Sequence, residues 1–400
     1  MAFFINPRAG ICLAVCSAVL IICALVFSAL ASAATWSIQT TANASGAEHS
    51  ALYDISCSSS ATKPCVSVGK QTESGGNSAT YAQAWNGTSW ANISAAMPAE
   101  ATAGELQSVD CFSVFESLLC FAAGSYTSGG VTKSLIVDGE TTGLGVLQTT
   151  PNPEGASETA FKGIGCRVSI SACMAVGYSV KSGKKTAFAV GLSSESKWVT
   201  QAISEPEGAT SSELHGVDCP ASNFCMAVGS YTVSGGAQWA WSATWNGTSW
   251  ILRSVAKPVE SKGSILLDVS CTSSSNCRGV GGYKNSSGVQ VSFAEIWNGS
   301  TWTHQSSPNP VGSTNTVFQG VSCVGGLAPC VAVGDWFNGK MWQPMAQAWN
   351  GSAWALDTTP TPSGATFSLL EGTACRSEGC LASGWYTDSG GKNKTLGEKR

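Results

Sequence analysis

Residues 214–258 contain the pattern that decides the fold. They include LHGVDC (214–219), FCMAVGSY (224–231), WAWSATW (239–245) and WILR (250–253), each separated from the next by a short turn. Segments of this length with alternating or clustered apolar residues are typical of β-strands. Asn246-Gly247 predicts a two-residue hairpin in which both residues take positive φ. The stretch therefore predicts four antiparallel strands, and Pro258 closes the unit.

The same unit recurs along the chain. Trp-Asn-Gly-x-x-Trp returns at 85–90, 297–302 and 349–354, and cysteine pairs return at a period of roughly 50 residues. Two units lack the tryptophan hairpin: Glu140 and Ser193 stand at the expected first Trp position, and Gly145 and Trp198 at the second. Repeated four-stranded units predict an all-β fold, a seven-bladed β-propeller.

The two ends of the repeat array are complementary. The last unit begins at Leu370 and stops at Arg400, before its fourth strand. Residues 35–40, TWSIQT, resemble the fourth-strand sequence TWTHQS at 301–306. We therefore expect an N-terminal strand that completes the C-terminal blade, which closes the ring, covers both sheet edges and makes the chain complete.

The cysteines predict a disulfide framework. Of 17 cysteines, Cys12, Cys16 and Cys23 lie in an apolar leader, and the other fourteen form pairs. An even set with regular spacing in an exported chain favours disulfides, and two thiols per unit without histidines at ligand spacing disfavour zinc. The predicted pairs are Cys57–Cys65, Cys111–Cys120, Cys166–Cys173, Cys219–Cys225, Cys271–Cys277, Cys323–Cys330 and Cys375–Cys380.

The N-terminus predicts export. Residues 11–30 are nearly all apolar, Arg8 is the only charged residue before Glu48, and Ala31-Ser32-Ala33 fits a signal-peptidase site. Residues 1–33 are thus a signal peptide or an uncleaved anchor, and 34–400 the propeller, secreted or at the cell surface. A net charge of −4 without a basic stripe argues against nucleic acid. We expect a monomer that meets a membrane only through an uncleaved leader.

The repeat resembles the kelch family. Cys225-Met226-Ala227-Val228-Gly229, the Trp245-Asn246 pair, Trp250 and Pro258 match the kelch glycine, aromatic, tryptophan and proline positions. The single glycine, where kelch repeats have two, and the cysteine pairs depart from that family. The chain is also similar to uncharacterised exported bacterial proteins with Trp-Asn-Gly-x-x-Trp repeats. The resemblance implies a propeller of four-stranded blades.

No cofactor or metal site is predicted. The kelch resemblance raises a copper oxidase, which needs a tyrosine–cysteine cross-link and histidine ligands, but every cysteine after the leader has a repeat partner. His49, His215 and His304 are the only histidines and belong to different repeat positions. His215 occupies a strand-one position held in the other units by Tyr53, Gln107, Lys162, Leu267, Gln319 and Glu371.

Several functions remain open from the sequence. The favoured one is a non-enzymatic module that binds a glycan or a protein. The alternatives are a structural envelope protein and an enzyme acting on polysaccharide, with Asp110 and Asp218 as acid and base near a central channel. Asp54 and Asp268 lie at the ends of their first strands in the same way. A set of aromatic residues follows the glycine of strand two, and we expect a ligand to contact Tyr231, Tyr283, Trp336 and Trp385.

Overall fold

The computed structural model describes residues 34–58, 64–114, 117–166, 173–325 and 330–400. Within it, Thr35–Arg400 forms one compact unit. The predicted leader, residues 1–33, lies outside the described residues. No helix in the described ranges has the length and hydrophobicity needed to cross a bilayer.

The described residues form an all-β fold that begins with a short strand, β1 (Ser37–Gln39), and continues in sets of four antiparallel strands. The first set is β2 (Ala47–Cys57), β3 (Cys65–Glu73), β4 (Ser78–Trp85) and β5 (Trp90–Ala95). The second is β6 (Ala103–Val114), β7 (Ser117–Ser128), β8 (Val131–Glu140) and β9 (Gly143–Leu147). The third is β10 (Glu158–Gly165), β11 (Met174–Lys181), β12 (Lys184–Leu192) and β13 (Trp198–Gln201). Short parallel contacts, β5 with β9 and β8 with β10, join these sets into one 12-stranded sheet.

The later sets are separate four-stranded sheets. The fourth is β14 (Ala209–Ala221), β15 (Phe224–Val233), β16 (Gln238–Trp245) and β17 (Trp250–Ser254). The fifth is β18 (Gly263–Ser273), β19 (Asn276–Lys284), β20 (Gln290–Trp297) and β21 (Trp302–Gln305). The sixth is β22 (Asn315–Cys323), β23 (Cys330–Phe337), β24 (Trp342–Trp349) and β25 (Trp354–Leu356). The last contains β26 (Phe367–Arg376), β27 (Gly379–Thr387) and β28 (Asn393–Lys399).

The last sheet takes its fourth strand from the other end of the chain. Its order is β1-β28-β27-β26, with Ser37 opposite Lys399 and Gln39 opposite Gly397. The neighbouring Trp36 is 2% exposed and packs in a core cluster with Leu396 of β28. Trp36 therefore occupies the place that a fourth-strand tryptophan holds in the other sheets.

The Asn-Gly hairpins differ from the predicted two-residue turn. Trp85 pairs with Trp90 across the strands, so the loop has four residues, and the two ring centroids are 5.5 Å apart. Asn86 Oδ1 accepts hydrogen bonds from the amides of Thr88 and Ser89, both at 2.9 Å. Only the glycine has positive φ, at 106°. The asparagine is therefore needed as a side-chain acceptor, and the prediction that it takes positive φ is wrong.

Two-residue turns occur between strands two and three of the second and third sets. Gly129-Gly130 has φ of 57° and 78°, and Ser182-Gly183 has φ of 51° and 78°. Both residues of each turn thus have positive φ, as the right-handed twist of the flanking strands favours. These turns are one residue shorter than the corresponding turn of the fourth set, where the Val233 amide bonds the Ala237 carbonyl oxygen across residues 234–236.

The shorter turns shift the register of these two sets by one residue. Gly139 lies opposite Cys120, as Trp85 lies opposite Cys65, so it takes the first Trp position in place of the expected Glu140. Leu192 pairs with Trp198 and displaces the expected Ser193, whereas Trp198 is where the sequence put it. In the second set the β8–β9 register shifts between Asp138 and Glu140, so that fully buried Leu144 and the expected Gly145 both lie opposite Gly139.

All fourteen predicted cysteines form disulfides, and the predicted pairing is confirmed. Each disulfide joins the first and second strands of one set, as Cys57 and Cys65 do across the β2–β3 ladder. The other bonds are Cys111–Cys120, Cys166–Cys173, Cys219–Cys225, Cys271–Cys277, Cys323–Cys330 and Cys375–Cys380. A closed loop of this size stabilises the folded chain by roughly 2 to 3 kcal/mol in the loop-entropy estimate.

Candidate functional site

Every first strand carries a β-bulge at the same place. In β2 the pairing with β3 passes over Tyr53, because Leu52 lies opposite Gly69 and Asp54 opposite Val68. A bulge adds one unpaired residue and re-aims its side chain. The residues passed over, which we call the bulge residues, are Tyr53, Gln107, Lys162, His215, Leu267, Gln319 and Glu371.

The strand-two glycine explains why the bulge forms there. A Cβ on Gly69 would lie 2.0 Å from the carbonyl oxygen of Ala51, and the equivalent glycines are as tightly placed, at up to 2.2 Å. Only glycine allows this approach of the two backbones. The residue before each bulge is a fully buried leucine or phenylalanine: Leu52, Leu106, Phe161, Leu214, Leu266, Phe318 and Leu370.

The seven bulge residues line a single cavity of about 230 Å³, which we call the central cavity. All seven are half-buried. They include a phenol, two amides, an amine, an imidazole, a carboxyl group and one apolar side chain. A constant core residue thus precedes a position whose chemistry changes from set to set, as expected where a uniform scaffold carries a specific site.

Carboxylates of the same sheets hold the two glutamines of the central cavity. Gln107 Nε2 donates a hydrogen bond to Glu105 Oε1 at 2.8 Å. Gln319 Nε2 donates to Asp335 Oδ1 at 3.0 Å. These bonds fix the orientation of each amide, so that its carbonyl oxygen and its second N–H are free to meet a ligand.

His215 and Glu371 also have neighbours that orient them. His215 Nε2 lies 3.4 Å from Ser230 Oγ and 3.8 Å from Glu213 Oε1. Trp385 Nε1 donates to Glu371 Oε1 at 3.3 Å. Four of the seven bulge residues are therefore positioned by side chains that come from their own sheets.

Burial shifts the titration of the acid and the base among the bulge residues. Burial raises the pKa of Glu371 to about 7, and the charge of Asp335 adds to this rise. Burial lowers the pKa of His215 to about 4, in spite of the opposing effect of Glu213. Near neutral pH the cavity therefore presents a neutral imidazole and a carboxyl group that exchanges its proton readily.

A second set of residues lies three positions further along each first strand, directly before the cysteine. Ser56 Oγ accepts a hydrogen bond from the Cys111 amide at 3.0 Å, and Asp110 Oδ2 accepts one from the Cys166 amide at 2.7 Å. Asp218, Ser270 and Ser322 do the same for Cys271, Cys323 and Cys375. We call this set the pre-cysteine residues: Ser56, Asp110, Gly165, Asp218, Ser270, Ser322 and Ala374.

The four aspartates named as possible channel acids all line the central cavity. Asp54 Oδ2 accepts the Val109 amide at 2.9 Å, and Asp268 Oδ2 accepts the Val321 amide at 2.8 Å. Like Asp110 and Asp218, they therefore join one first strand to the next. Burial raises the pKa of Asp110 to about 7, helped by repulsion from Asp218 and Asp54, and raises those of Asp54 and Asp218 to about 6.

The four aromatic residues expected to contact a ligand lie outside the described lining of the central cavity. Tyr231, Tyr283 and Trp336 pack against core clusters, and Trp336 also lines a separate cavity of about 240 Å³. Trp385 stacks on Phe367 with centroids 4.8 Å apart and reaches the cavity only through Glu371. Their contact with a ligand stays a prediction.

From the sequence, the bulge positions were recognised only as a strand-one position, that of His215, whose residue type differs between units. The unused signal was the strand-two glycine, which marks the residue opposite it as the start of a bulge. In the described part of the chain, no group of three or more His, Cys, Asp or Glu side chains has the geometry to hold a metal ion.

No family model and no curated protein matches this chain, so the kelch resemblance stays a prediction. Solved structures do match. A protein of unknown function from Dyadobacter fermentans is similar over 92% of this chain and 98% of its own, with a TM-score of 0.50 and 10% identity. This likeness shows a shared all-β, propeller-like fold.

Two further matches are hydrolases. A Trypanosoma rangeli sialidase, solved as a covalent intermediate with 2,3-difluorosialic acid, has a TM-score of 0.49 and 8% identity. The match covers 92% of this chain but only 59% of the sialidase. A thermostable family-43 glycoside hydrolase has a TM-score of 0.37 and 8% identity, with 62% of this chain and 91% of that chain covered.

Proposed function

We propose that the chain is an exported, seven-bladed propeller that binds a carbohydrate in its central cavity. The observation that carries the proposal is the set of bulge residues. One backbone device, repeated in each set, presents seven different side chains to one cavity, and four of them are held in place by neighbours. A site of this kind is preorganised for a ligand.

The closed ring is supported by the contacts between first strands. β2 contacts both β6 and β26, although β26 lies at the other end of the chain. The remaining contacts run from β6 to β10, β14, β18, β22 and β26 in order. The pairing of β1 with β28 supplies the strand that the last blade lacks. Seven disulfides fit a secreted or cell-surface protein.

The chemistry of the cavity favours a ligand rich in hydroxyl groups. Gln107 and Gln319 each offer donors and an acceptor, and Lys162 and Tyr53 add further donors. Apart from Leu267, the bulge residues are polar, which is unlike the mostly apolar lining of sites for drug-like ligands. The aromatic residues Tyr231, Tyr283, Trp336 and Trp385 remain proposed contacts for a larger glycan or a protein.

The test is glycan binding by the secreted, disulfide-bonded protein. An array of neutral glycans of one to six units, built from glucose, galactose, mannose, xylose or N-acetylglucosamine, should show binding that Gln107→Ala and Gln319→Ala weaken about tenfold or more. Both variants should keep the wild-type melting temperature. Absence of binding to every glycan of the array would overturn the proposal.

A second candidate is an enzyme that hydrolyses polysaccharide in the same cavity. The observation that favours it is that Asp110 and Asp218 line this cavity and interact electrostatically. Protonated Asp110 would give its proton to the glycosidic oxygen as the bond to the anomeric carbon breaks. A water molecule would attack that carbon and lose its proton to the Asp218 carboxylate.

The two candidates differ in product. Incubation with soluble β-glucan, xylan and chitin oligomers should release no new reducing ends if the protein only binds. Release that Asp218→Asn abolishes, with the fold intact by circular dichroism, would establish the enzyme. Asp110 and Asp218 accept hydrogen bonds from backbone amides of the next first strand. This structural role of both carboxylates favours the non-enzymatic module.

A further inference from the structure

A second polar cavity adjoins the central one on the side of the first three sets. It measures about 220 Å³ and shares Lys162 with the central cavity. We call it the side groove, defined by Lys70, Glu105, Tyr126, Glu158, Lys162 and Tyr178. A third cavity, of about 270 Å³, shares Lys70 with the side groove and Tyr53 with the central cavity. The three cavities are therefore neighbours, and each pair of them shares one lining side chain.

The side groove is built from groups with fixed positions. The Tyr178 hydroxyl donates to Glu158, and Lys185 Nζ lies 4.2 Å from the centre of the Tyr178 ring. Lys70 Nζ lies 3.7 Å from Glu105 Oε2, and the other oxygen of Glu105 holds Gln107 of the central cavity. One carboxylate thus orients a side chain in each cavity.

Two groups of the side groove remain open to a ligand. Among the described residues, Lys162 has no ion-pair partner within 4.0 Å. The ring of Tyr126 is partly buried against the core, and Lys133 Nζ lies over it at 6.0 Å from the ring centre, the outer limit of a cation–π contact. A sugar ring placed on Tyr126 would therefore meet an aromatic surface, with Lys162 between it and the central cavity.

The side groove is confined to one side of the molecule. The residue at the Glu105 position is Ala51, Ala160, Ile265, Val317 or Leu369 in five of the other sets, and Glu213 in the remaining one. The position of Glu158 is held by a carboxylate in the third set alone. Beyond the central cavity, the polar side chains of the side groove therefore lie on one side of the molecule only.

We infer that the carbohydrate has at least two linked sugar units, one in the central cavity and the next in the side groove against Tyr126. This inference rests on the proposed function and adds the length and direction of the ligand. Each cavity alone is smaller than the roughly 300 to 1,000 Å³ of usual ligand sites, whereas the volumes of the central cavity and the side groove taken together fall within that range.

The test compares monomers with linear trimers of glucose, galactose, mannose, xylose and N-acetylglucosamine by calorimetry. Wild-type protein should bind at least one trimer about tenfold more tightly than its monomer. Tyr126→Ala and Lys70→Ala should each lower trimer affinity about threefold to tenfold and leave monomer affinity within twofold. Tyr386→Ala, the matched tyrosine two residues after the strand-two glycine of the last sheet, should change neither.

The outcomes separate the two proposals. Wild-type protein that binds no monomer and no trimer overturns the proposed function together with this inference. Equal affinity for a monomer and its trimer overturns only the two-unit ligand. A tighter trimer whose affinity survives both Tyr126→Ala and Lys70→Ala, with each variant folded, shows that the second unit lies outside the side groove and overturns the assignment.

Discussion

The bulge residues and the pre-cysteine residues lie only three positions apart on the same strands, yet they have opposite roles. Pre-cysteine side chains reach the next first strand and bond its backbone, as Asp110 does with the Cys166 amide. Bulge side chains bond within their own sheet, as Gln107 does with Glu105. The pre-cysteine residues therefore join neighbouring sets, and the bulge residues are left to face a ligand.

The allowed residue types follow from this difference. A pre-cysteine side chain that bonds the next strand is a short acceptor, and five of the seven are serine or aspartate. The bulge residue is limited only by the space of the cavity, so its chemistry varies freely. Residues for assembly and residues for ligand contact can thus share one strand when their hydrogen bonds go to different partners.

The largest expected effect on stability comes from a pre-cysteine residue, Asp110. Asp110→Ala leaves the Cys166 amide and the Ser56 hydroxyl without their acceptor in a buried place, so we expect a loss of about 2 to 4 kcal/mol in the free energy of unfolding. Asp110→Ser, which copies Ser56, should recover at least half of it. Urea unfolding followed by tryptophan fluorescence measures both, and equal stability of Asp110→Ala and wild type would contradict the assigned role.

The aspartates should also make stability depend on pH. The folded-state pKa values of Asp54, Asp110 and Asp218 are about 6, 7 and 6, above the ordinary value of 3.8. Their stabilising contribution is complete below pH 4 and is lost as the pH rises through 6 to 7, because the unfolded chain releases these protons more easily. Melting temperatures between pH 4 and pH 8 should fall, and less steeply in Asp110→Ser.

A smaller effect on stability is expected at Ala374 and Gly165, the two pre-cysteine positions whose side chains carry no hydrogen-bond acceptor. Ala374 stands where Ser322 binds the next strand's amide, so Ala374→Ser should add about 0.5 to 1 kcal/mol through a bond to the Cys57 amide. Gly165→Ser should instead destabilise, since a Cβ there would lie 2.6 Å from the Val217 carbonyl oxygen. Denaturant midpoints compare the two, and a loss of stability in Ala374→Ser would sink the idea.

The smallest effect on stability should come from a bulge residue, Lys162. Lys162→Ala removes a half-buried side chain with no ion pair among the described residues, so the free energy of unfolding should change by less than about 0.5 kcal/mol. Glycan affinity should fall in the same variant. A drop in melting temperature as large as that of Asp110→Ala would contradict the different roles assigned to the pre-cysteine residues and the bulge residues.

The repeat made much of the fold predictable. Four strands per unit, the seven disulfides and the resemblance of residues 35–40 to a fourth strand follow from spacing and alternation alone. The errors were local. Glu140 and Ser193 were misplaced because Gly129-Gly130 and Ser182-Gly183 shorten their turns by one residue, which counting along the chain does not reveal.

The site was less predictable, because a bulge breaks the alternation on which the prediction depends. Under strict alternation His215 is one more polar residue of a half-buried strand. Its place in the cavity follows from the close approach of Gly229 to the carbonyl oxygen of Glu213, a contact between two strands. The role of Asp110 depended in the same way on a partner in another unit, Cys166, which no single repeat contains.

The bulges also make this chain readily evolvable. Because the seven residues are passed over by the strand ladders, exchanging them changes no backbone hydrogen bond and no disulfide. Mutation can therefore alter what the cavity selects while the folding information, held in the glycines, the leucines and the cysteines, stays constant. A combinatorial library randomised at these seven positions would turn the same property into a source of disulfide-bonded binding reagents.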